Sequence, residues 1–395
     1  MIRIFETGDL HLGKKYLDSN KHPQGKVLAE RRYTALENMI SRANVENCDL
    51  FVITGDLFEK RSLKSITQRS VARVADILKA FSGEAVLVLP GNHDYYSVDQ
   101  EKENELWDYF REQCDESKIV VLSAFKPYRI DVGEEQAVIF PAFCDNEVSA
   151  KNNLAWIRNC EIPQNGEYTI GVAHGAVQGK TIDKEGEYFV MTEKELDEIP
   201  VDVWLLGHTH VMFPVNLSED YQMAGRIFNA GTHVQDNVRR KTEGYCVILE
   251  LEKNAEGPAA VRAKRFRSGN TFFGKVNIHV SPEGRNGTGY ELRNALLKAT
   301  EKFDRQNTSL SLTIEGTITE EELEIKETVY RECLGEFLEF SPPNDAGLVK
   351  LYTEEMVDQQ YAPHSFPSKV LKALLETPGE LQMAAELMDE LKGEN

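Results

Sequence analysis

Short apolar runs alternate with longer segments of helical apolar spacing over the first hundred residues. The runs MIRIFETGD, CDLFVITGD and AVLVLPGNHD predict buried strands, and KVLAERRYTALENMISRANVEN and SLKSITQRSVARVADILKAFS predict the helices between them. The second helix is expected to begin at a Ser62 cap. This order of strands and helices predicts a layered α/β domain.

Further along the chain the apolar runs become shorter and more β-like. KIVVLS, YRIDVG, QAVIFPA, YTIGVAHG, VDVWLLGHTHV, RIFNAGTHV and GYCVILELE predict strands, and LEKNAEGPAA predicts a hairpin-like connection. From about residue 271 the pattern predicts a small α+β module, and the stripes in FPSKVLKALLE and ELQMAAELMDEL predict two amphipathic helices. Such helices pack on their own domain or dock a partner. We predict domains over 1–268, 269–345 and 346–395.

Composition limits the class of protein. Hydrophobic residues make up 41% of the 395 and charged residues 28%, which is typical of a globular protein. No apolar run approaches the roughly 20 residues that span a bilayer, and MIRIFETGDLH lacks the features of a secretion signal. Six scattered cysteines favour thiols in a reducing compartment. We expect a cytoplasmic protein without a membrane partner.

Charge is unevenly distributed along the chain. The net charge is −20, and residues 315–395 alone hold 19 acidic and 6 basic residues. Short basic clusters occur at RRK, residues 239–241, and in VRAKRFRSG, which contains Arg262, Lys264, Arg265 and Arg267. Such clusters form either a solvated face or strand, or a phosphate contact. The overall acidity argues against tight, sequence-independent coating of DNA.

Five predicted strands each end in side chains that can bind a metal ion. Taken alone, each cluster is ordinary turn chemistry, but functional groups of an open α/β sheet gather at the carboxyl ends of its strands. His22, His279 and His364 lack this context, and we expect His233 to be structural. The clustered side chains are Asp9 and His11; Asp56; Asn92 and His93; His174; and His208 and His210.

The spacing and chemistry of these side chains predict a two-metal site. Asp9 and His11, and likewise His208 and His210, are i, i+2 pairs that point to one side of an extended backbone. A mixture of carboxylate, amide and imidazole ligands suits Mn²⁺, Fe²⁺ or Zn²⁺ better than Mg²⁺ or Ca²⁺. Two cations about 3.5–4 Å apart suit in-line displacement at phosphorus. His93 is the imidazole left to protonate the leaving oxygen.

The ordered motifs GDLH, GD, GNHD, VAHG and GHTH resemble those of the calcineurin-like metallophosphoesterase superfamily. TGDLHLGK, AERRYTALENMISRA before DLFVITGDLFE, and NAGTH followed by EGY resemble more closely the DNA-repair nucleases of the SbcD type, which work with an SMC-like ATPase. The resemblance covers residues 1–250. Glu59 stands where an aspartate is common, and NAGTH stands where bacterial members often have a Pro-Gly-Ser turn.

The resemblance implies both a fold and a set of ligands. The implied fold is α/β: a four-layer sandwich of two β-sheets flanked by helices, with a smaller α+β capping domain and C-terminal helices. Two divalent cations, expected to be Mn²⁺, are implied, with Asp56 bridging them and His93 assisting the leaving group. The first ion is then bound by Asp9, His11, Asp56 and His210, and the second by Asp56, Asn92, His174 and His208.

The implied activity is exonuclease and endonuclease cleavage of DNA phosphodiesters. DNA, an SbcC-type SMC-like ATPase that grips the C-terminal helices, and a second copy of the chain are the candidate partners. The alternative is a phosphatase or a nucleotide or small-molecule phosphodiesterase of the same superfamily, although the long segment after residue 250 favours a large substrate. A non-catalytic scaffold is expected to have lost ligands, and none is missing here.

Overall fold

The computed structural model describes residues 1–16, 24–99, 101, 103–164, 166–179, 187–235, 243–253, 257–281 and 290–393. The chain divides into two compact units, Met1–Thr271 and Phe272–Asn395. The predicted basic cluster at residues 239–241 and His22 lie outside the described residues, as does part of the predicted hairpin connection.

Unit 1 contains the predicted strands and both predicted helices in chain order, together with helices at 105–113, 155–158 and 193–197 that the apolar pattern did not predict. Its elements are β1 (Ile2–Thr7), α1 (Gln24–Val45), β2 (Leu50–Ile53), α2 (Gln68–Lys79), β3 (Ala85–Val88), α3 (Glu105–Gln113), β4 (Ile119–Val121), β5 (Tyr128–Val132), β6 (Glu135–Ala142), α4 (Ala155–Arg158), β7 (Tyr168–His174), α5 (Glu193–Asp197), β8 (Val203–Gly207), β9 (Gln222–Met223), β10 (Ile227–Asn229), β11 (Tyr245–Glu252) and β12 (Ala260–Arg267).

Two mixed β-sheets form within the described part of unit 1. The first has the strand order β4-β3-β2-β1-β11-β12-β9, and its β1 to β4 strands are parallel. The second has the order β10-β8-β7-β6-β5, in which only the β5–β6 pair is antiparallel. The parallel strands of each sheet therefore bring their carboxyl ends to one edge.

Alternation of side chains along the strands builds separate apolar layers. In β1, Ile4 contributes to a core that also contains Val172 and Leu205 of the second sheet. Its neighbour Phe5 faces the opposite way, into a core shared with α1 and α2. The outer face of the second sheet packs against α4 and α5 through residues such as Trp204. These layers confirm the predicted α/β fold of two sheets flanked by helices.

The predicted start of α2 is wrong by several residues. Ser62 does not cap this helix, because the chain first makes a turn in which the backbone N–H groups of Ser65 and Ile66 donate to the Ser62 carbonyl oxygen. The helix begins after Thr67, whose side chain accepts from the Ser70 N–H at 3.2 Å. Thr67 supplies the N-cap that the sequence pattern assigned to Ser62.

The basic cluster in VRAKRFRSG forms part of strand β12 and pairs with acids of its own unit. Arg262 lies 3.1 Å from the Glu250 carboxylate, and the Lys264 ammonium lies 2.8 Å from Glu46. Both acids belong to unit 1, so these cations neutralise intramolecular charge. The structure therefore favours a surface strand over a phosphate contact for this cluster.

Unit 2 is built around a parallel sheet. Its elements are β13 (Phe272–Val280), α6 (Glu291–Thr300), a 3₁₀ turn (Arg305–Asn307), β14 (Thr308–Ile318), α7 (Glu320–Glu324), α8 (Lys326–Leu334), β15 (Glu339–Phe340), β16 (Asn344–Lys350), α9 (Glu354–Gln360), α10 (Phe366–Ala373) and α11 (Pro378–Gly393). β14 pairs in parallel with β13, β15 and β16. The two predicted amphipathic helices correspond to α10 and α11.

Two further structural observations concern the cysteines and the helices. All six cysteines lie in the described ranges, and each is a free thiol. Within those ranges, no helix combines the length and the apolar character that crossing a membrane requires.

Candidate metal centre

The predicted site residues gather where the carboxyl ends of the two sheets of unit 1 meet. Asp9 and His11 follow β1, Asp56 follows β2, and Asn92 and His93 follow β3. From the second sheet, His174 is the last residue of β7, and His208 and His210 follow β8. The contacts given below join all eight of these residues into one cluster.

The loops after β1 and β2 are joined by backbone hydrogen bonds. The N–H of Asp9 donates to the Gly55 carbonyl oxygen at 3.1 Å, and the N–H of His11 donates to that of Asp56 at 2.9 Å. Farther along, the N–H of Glu59 donates to the Leu12 carbonyl oxygen at 3.0 Å. These bonds hold the side chains of both loops in a common register, although the loops are separated by more than 40 residues.

The backbone at the site is strained. Eight of the described non-glycine residues have positive φ, a conformation that costs free energy for an L-residue. Five of the eight belong to the predicted ligand set: Asp9, His11, Asp56, His208 and His210, with φ of 52°, 46°, 50°, 101° and 53°. The i, i+2 spacing predicted that each pair points to one side of an extended backbone, and this prediction is wrong. The pairs converge through left-handed turns.

One group of donors surrounds the Asp9 side of the site. Nε2 of His11 lies 3.0 Å from Nε2 of His210 and 3.6 Å from Oδ2 of Asp56. The Asp9 carboxylate lies 3.9 Å from the His210 ring. It also accepts the backbone N–H of His208 at 3.0 Å, which ties the GHTH loop to the loop after β1.

A second group of donors surrounds Asn92. Its Oδ1 lies 3.1 Å from Nε2 of His174 and 3.0 Å from Nδ1 of His208. Nε2 of His174 is also 3.4 Å from Oδ2 of Asp56. The same carboxylate oxygen of Asp56 therefore lies between the two groups of donors.

His93 stands beside both groups and is held by backbone contacts. Its N–H donates to Oδ1 of Asp56 at 2.8 Å, and its ring nitrogen Nδ1 lies 3.2 Å from the Glu59 carbonyl oxygen. The turn is closed by Asp94, which accepts the N–H of Gly91 at 2.7 Å and that of Phe58 at 2.9 Å. Asp94 therefore holds the loops together and does not orient the His93 ring.

The comparisons with known proteins bear on this cluster. Residues 2–212, more than half of the chain, match the family model described as calcineurin-like phosphoesterase, and the match contains all eight predicted site residues. The chain belongs to this family. Metal-dependent hydrolysis of phosphoesters at a dimetal site is accordingly the chemistry of its class.

Solved structures resemble this phosphoesterase only distantly. TT1561 of Thermus thermophilus is 13% identical with a TM-score of 0.34, and the match covers 58% of this chain and 89% of that one. The purple acid phosphatase PPD1 of yellow lupin is 13% identical, with a TM-score of 0.39 and coverages of 68% and 51%. A dimetal phosphatase from Danio rerio is 11% identical, with a TM-score of 0.35 and coverages of 67% and 98%.

Burial and charge perturb the ionisation of the phosphoesterase site. Burial opposes the charged form of Asp56, yet His174, His11 and His93 hold its pKa well below the usual range. Burial alone would lower the pKa of His174, but the Asp56 and Asp9 carboxylates raise it to about 9. For His208, burial and the neighbouring His174 lower the pKa to about 4. The site therefore gathers opposite charges where water is scarce.

The donors fit divalent cations. Two imidazole nitrogens 3.0 Å apart, His11 Nε2 and His210 Nε2, need a proton or a cation between them. Two carboxylates, one amide oxygen and four imidazoles make a mixed nitrogen and oxygen set that borderline cations prefer. Triads of these side chains place their ligand atoms within 4.8 Å of one another, namely Asp9, His11 and His210, and Asp9, Asp56 and His174. The strained turns serve this convergence.

Several residues that shape the site were not among the predicted site residues. The Thr54 carbonyl oxygen accepts Nδ1–H of His174 at 2.8 Å, which directs Nε2 of that ring toward Asp56. The Tyr188 ring lies 5.0 Å from the His208 ring. Glu59, noticed only as a departure from the family pattern, lies 2.9 Å from His11. Carbonyl contacts and ring packing leave no motif, so only the structure reveals them.

The remaining histidines differ in their surroundings. His233 is fully buried, and its Nε2 lies 3.3 Å from the Arg32 carbonyl oxygen on α1. This contact agrees with the structural role predicted for His233. His279 belongs to unit 2, where it lies on the surface 3.8 Å from Glu315.

Proposed function

We propose that this phosphoesterase is a two-metal nuclease that hydrolyses phosphodiester bonds of DNA. The observation that carries the proposal is the sharing of one oxygen: Oδ2 of Asp56 lies 3.6 Å from His11 and 3.4 Å from His174. Two donor groups that meet at one carboxylate suit two adjacent cations, which is the arrangement used for displacement at phosphorus. The DNA-repair specificity rests on the resemblance of the motifs to SbcD-type nucleases.

The two donor groups would each hold a divalent cation, and we propose Mn²⁺ because the ligands are mixed nitrogen and oxygen donors. The cations would supply Lewis acidity that offsets the negative charge gathering on the phosphoryl group. The Asp56 carboxylate is ionised in the absence of metal because its pKa is low. It would therefore offset part of the positive charge that the two cations bring into the buried site.

His93 would protonate the departing oxygen. Its Nδ1 faces the Glu59 carbonyl oxygen, which can only accept a hydrogen bond, so Nδ1 carries a proton. A second proton on Nε2 makes the ring an acid at its other edge. The Asp56 carboxylate accepts the backbone N–H of His93 at 2.8 Å, which keeps the ring next to the donor groups. Position and chemistry therefore favour a general acid.

A polyanionic substrate is favoured by cations on the two joined loops. Three residues after His11 and four residues after Asp56 the loops enter segments with basic side chains, which are partly or fully exposed in a chain of net charge −20. Phosphates on either side of the scissile bond would meet this charge, whereas a small phosphomonoester needs less of it. The cationic residues are Lys14, Lys15, Lys60 and Lys64.

The C-terminal helices are the proposed contact with an SMC-like ATPase. Helix α11 exposes Met383, Leu387 and Leu391, spaced i, i+4 and i+8, with 67%, 59% and 65% of each residue accessible. One face of a helix with apolar residues at this spacing is a common partner surface. Leu387→Asp should abolish co-purification with a co-expressed ATPase while nuclease activity toward short single strands persists. Unchanged co-purification contradicts this part of the proposal.

A cleavage assay with Mn²⁺ tests the proposed substrate. Metal-loaded protein is incubated with linear duplex DNA, single-stranded DNA, a chromogenic phosphodiester and a chromogenic phosphomonoester. Cleavage of DNA together with the phosphodiester is the expected result. Turnover of the small esters without cleavage of either DNA would favour the alternative, a phosphatase or small-molecule phosphodiesterase of the same superfamily.

A further inference from the structure

We infer that Glu59 is a positioning residue of the metal centre, whose carboxylate aligns His11 and whose carbonyl oxygen aligns His93. The inference rests on the proposed two-metal function and extends it to a residue outside the ligand set. Glu59 lies three residues after Asp56, in the loop that follows β2. One residue would then orient both a metal ligand and the proton donor.

The backbone of Glu59 is anchored to the loop that carries His11. Its N–H donates to the Leu12 carbonyl oxygen at 3.0 Å, and the Leu12 N–H donates to the Leu57 carbonyl oxygen at 2.9 Å. These two bonds leave little freedom in the position of the Glu59 Cα relative to His11. The side chain therefore reaches the His11 ring without a long flexible segment in between.

The carboxylate of Glu59 faces the edge of His11 that is turned away from the donor groups. Oε2 lies 2.9 Å from Nδ1 as an ion-pair contact, and among the residues that the structure describes neither of these buried atoms has a hydrogen-bond partner. A carboxylate at this edge places the proton of a neutral imidazole on Nδ1. Nε2 then keeps its lone pair, and Nε2 is the atom that faces Asp56 and His210.

The carbonyl oxygen of the same residue sets the orientation of His93. Nδ1 of His93 lies 3.2 Å from it, and the His93 ring meets the His11 ring edge-on with centroids 4.6 Å apart. The ring of His93 is thus confined between the Glu59 backbone and the His11 ring. Removing the side chain of Glu59 leaves this carbonyl contact in place, so the two roles can be separated by mutation.

A third cation held by His11, Glu59 and His93 is the competing interpretation, because their ligand atoms also lie within 4.8 Å of one another. Against it, Nδ1 of His93 already lies at hydrogen-bond distance from a carbonyl oxygen, and Nε2 of His11 already faces the other ligands. The number of bound cations distinguishes the two interpretations.

Isothermal titration of metal-free protein with Mn²⁺ provides the test. Glu59→Ala and the isosteric Glu59→Gln are compared with Glu84→Gln, a matched substitution at an exposed carboxylate after α2. We expect two sites in every protein, with the affinity of one site weakened roughly 10–100-fold in Glu59→Ala, less in Glu59→Gln, and unchanged in Glu84→Gln. Urea denaturation confirms that each variant is folded.

Turnover at saturating Mn²⁺ separates positioning from direct catalysis. At saturating Mn²⁺ we expect Glu59→Ala to lose less kcat than His93→Ala, because the carbonyl contact to His93 remains. Unchanged Mn²⁺ affinity in both Glu59 variants, or a count that falls from three cations to two, would overturn the inference. Since affinity is measured without substrate, failure of the nuclease proposal would appear separately, as an unmodified protein that binds two cations but cleaves no DNA.

Discussion

Gly91 occupies a position beside Asp56 where a side chain has no room. A Cβ atom built on Gly91 would lie 2.2 Å from Oδ1 of Asp56 and 2.3 Å from its backbone nitrogen. Opening the first of these contacts to an ordinary van der Waals distance requires a movement of about 1 Å. The substitution Gly91→Ala therefore displaces the carboxylate shared by the two donor groups, although Gly91 is not itself a proposed metal ligand.

The magnitude follows from the tolerance of metal coordination. Ligand distances in metal sites hold to within about 0.2 Å, so a shift several times larger removes Asp56 from both proposed cations. We expect Mn²⁺ affinity to fall by more than the roughly 10–100-fold that follows loss of an outer-shell partner. The free energy of unfolding should fall by about 1–3 kcal/mol, the usual cost of overpacking a buried site.

Titration of the metal-free protein with Mn²⁺ and urea denaturation measure the two effects. Gly225→Ala is the matched control, because a Cβ at Gly225 meets no atom within 4 Å. This variant should stay within about 0.5 kcal/mol of the unmodified protein and bind Mn²⁺ normally. Wild-type affinity and stoichiometry in a folded Gly91→Ala protein would refute the assignment of Asp56 as the shared ligand.

Three further predictions concern catalysis, metal-linked stability and pH. His93→Ala should bind two Mn²⁺ ions normally but lose roughly 10²–10⁴-fold in kcat; near-normal turnover would reject its role as the acid. Mn²⁺ at 100 times the Kd of a site should stabilise unit 1 by about 2.7 kcal/mol for each of the two proposed sites and raise its Tm in calorimetry, whereas an unchanged Tm would argue against a metal centre. Burial opposes the ionised form of Asp345, but Lys326 and Tyr330 outweigh burial and lower its pKa. The ionised carboxylate therefore stabilises unit 2 at any pH above the unfolded pKa of about 4. This stabilisation is lost as the pH falls through the lower pKa of the folded state. Asp345→Asn should therefore cost about 1 kcal/mol at pH 7 in urea denaturation and progressively less below pH 4; a cost independent of pH would contradict the linkage.

Much of the site was predictable because its metal-binding side chains occur in short sequence motifs. Each proposed ligand lies at or just after the end of a strand that its own apolar residues specify, and parallel strands bring their carboxyl ends to one edge. The residue types also predict the class of cation, since imidazole and carboxylate preferences do not depend on the fold. The prediction of where α2 begins was wrong for the same local reason. Ser62 and Thr67 are both good N-cap residues, and only the turn at Ser62 excludes Ser62 as the cap.

The sequence by itself predicted the first three strands of unit 1 and the two helices between them, and it placed the proposed ligands and the proposed proton donor after strand ends. Only the tertiary structure decided that the ligand pairs converge through left-handed turns, that Glu59 contacts both His11 and His93, and that Arg262 and Lys264 pair with acids of their own unit. The physical reason is range. Periodicity and ligand chemistry act within a few residues, whereas backbone strain and charge pairing depend on contacts between segments that lie far apart in the chain.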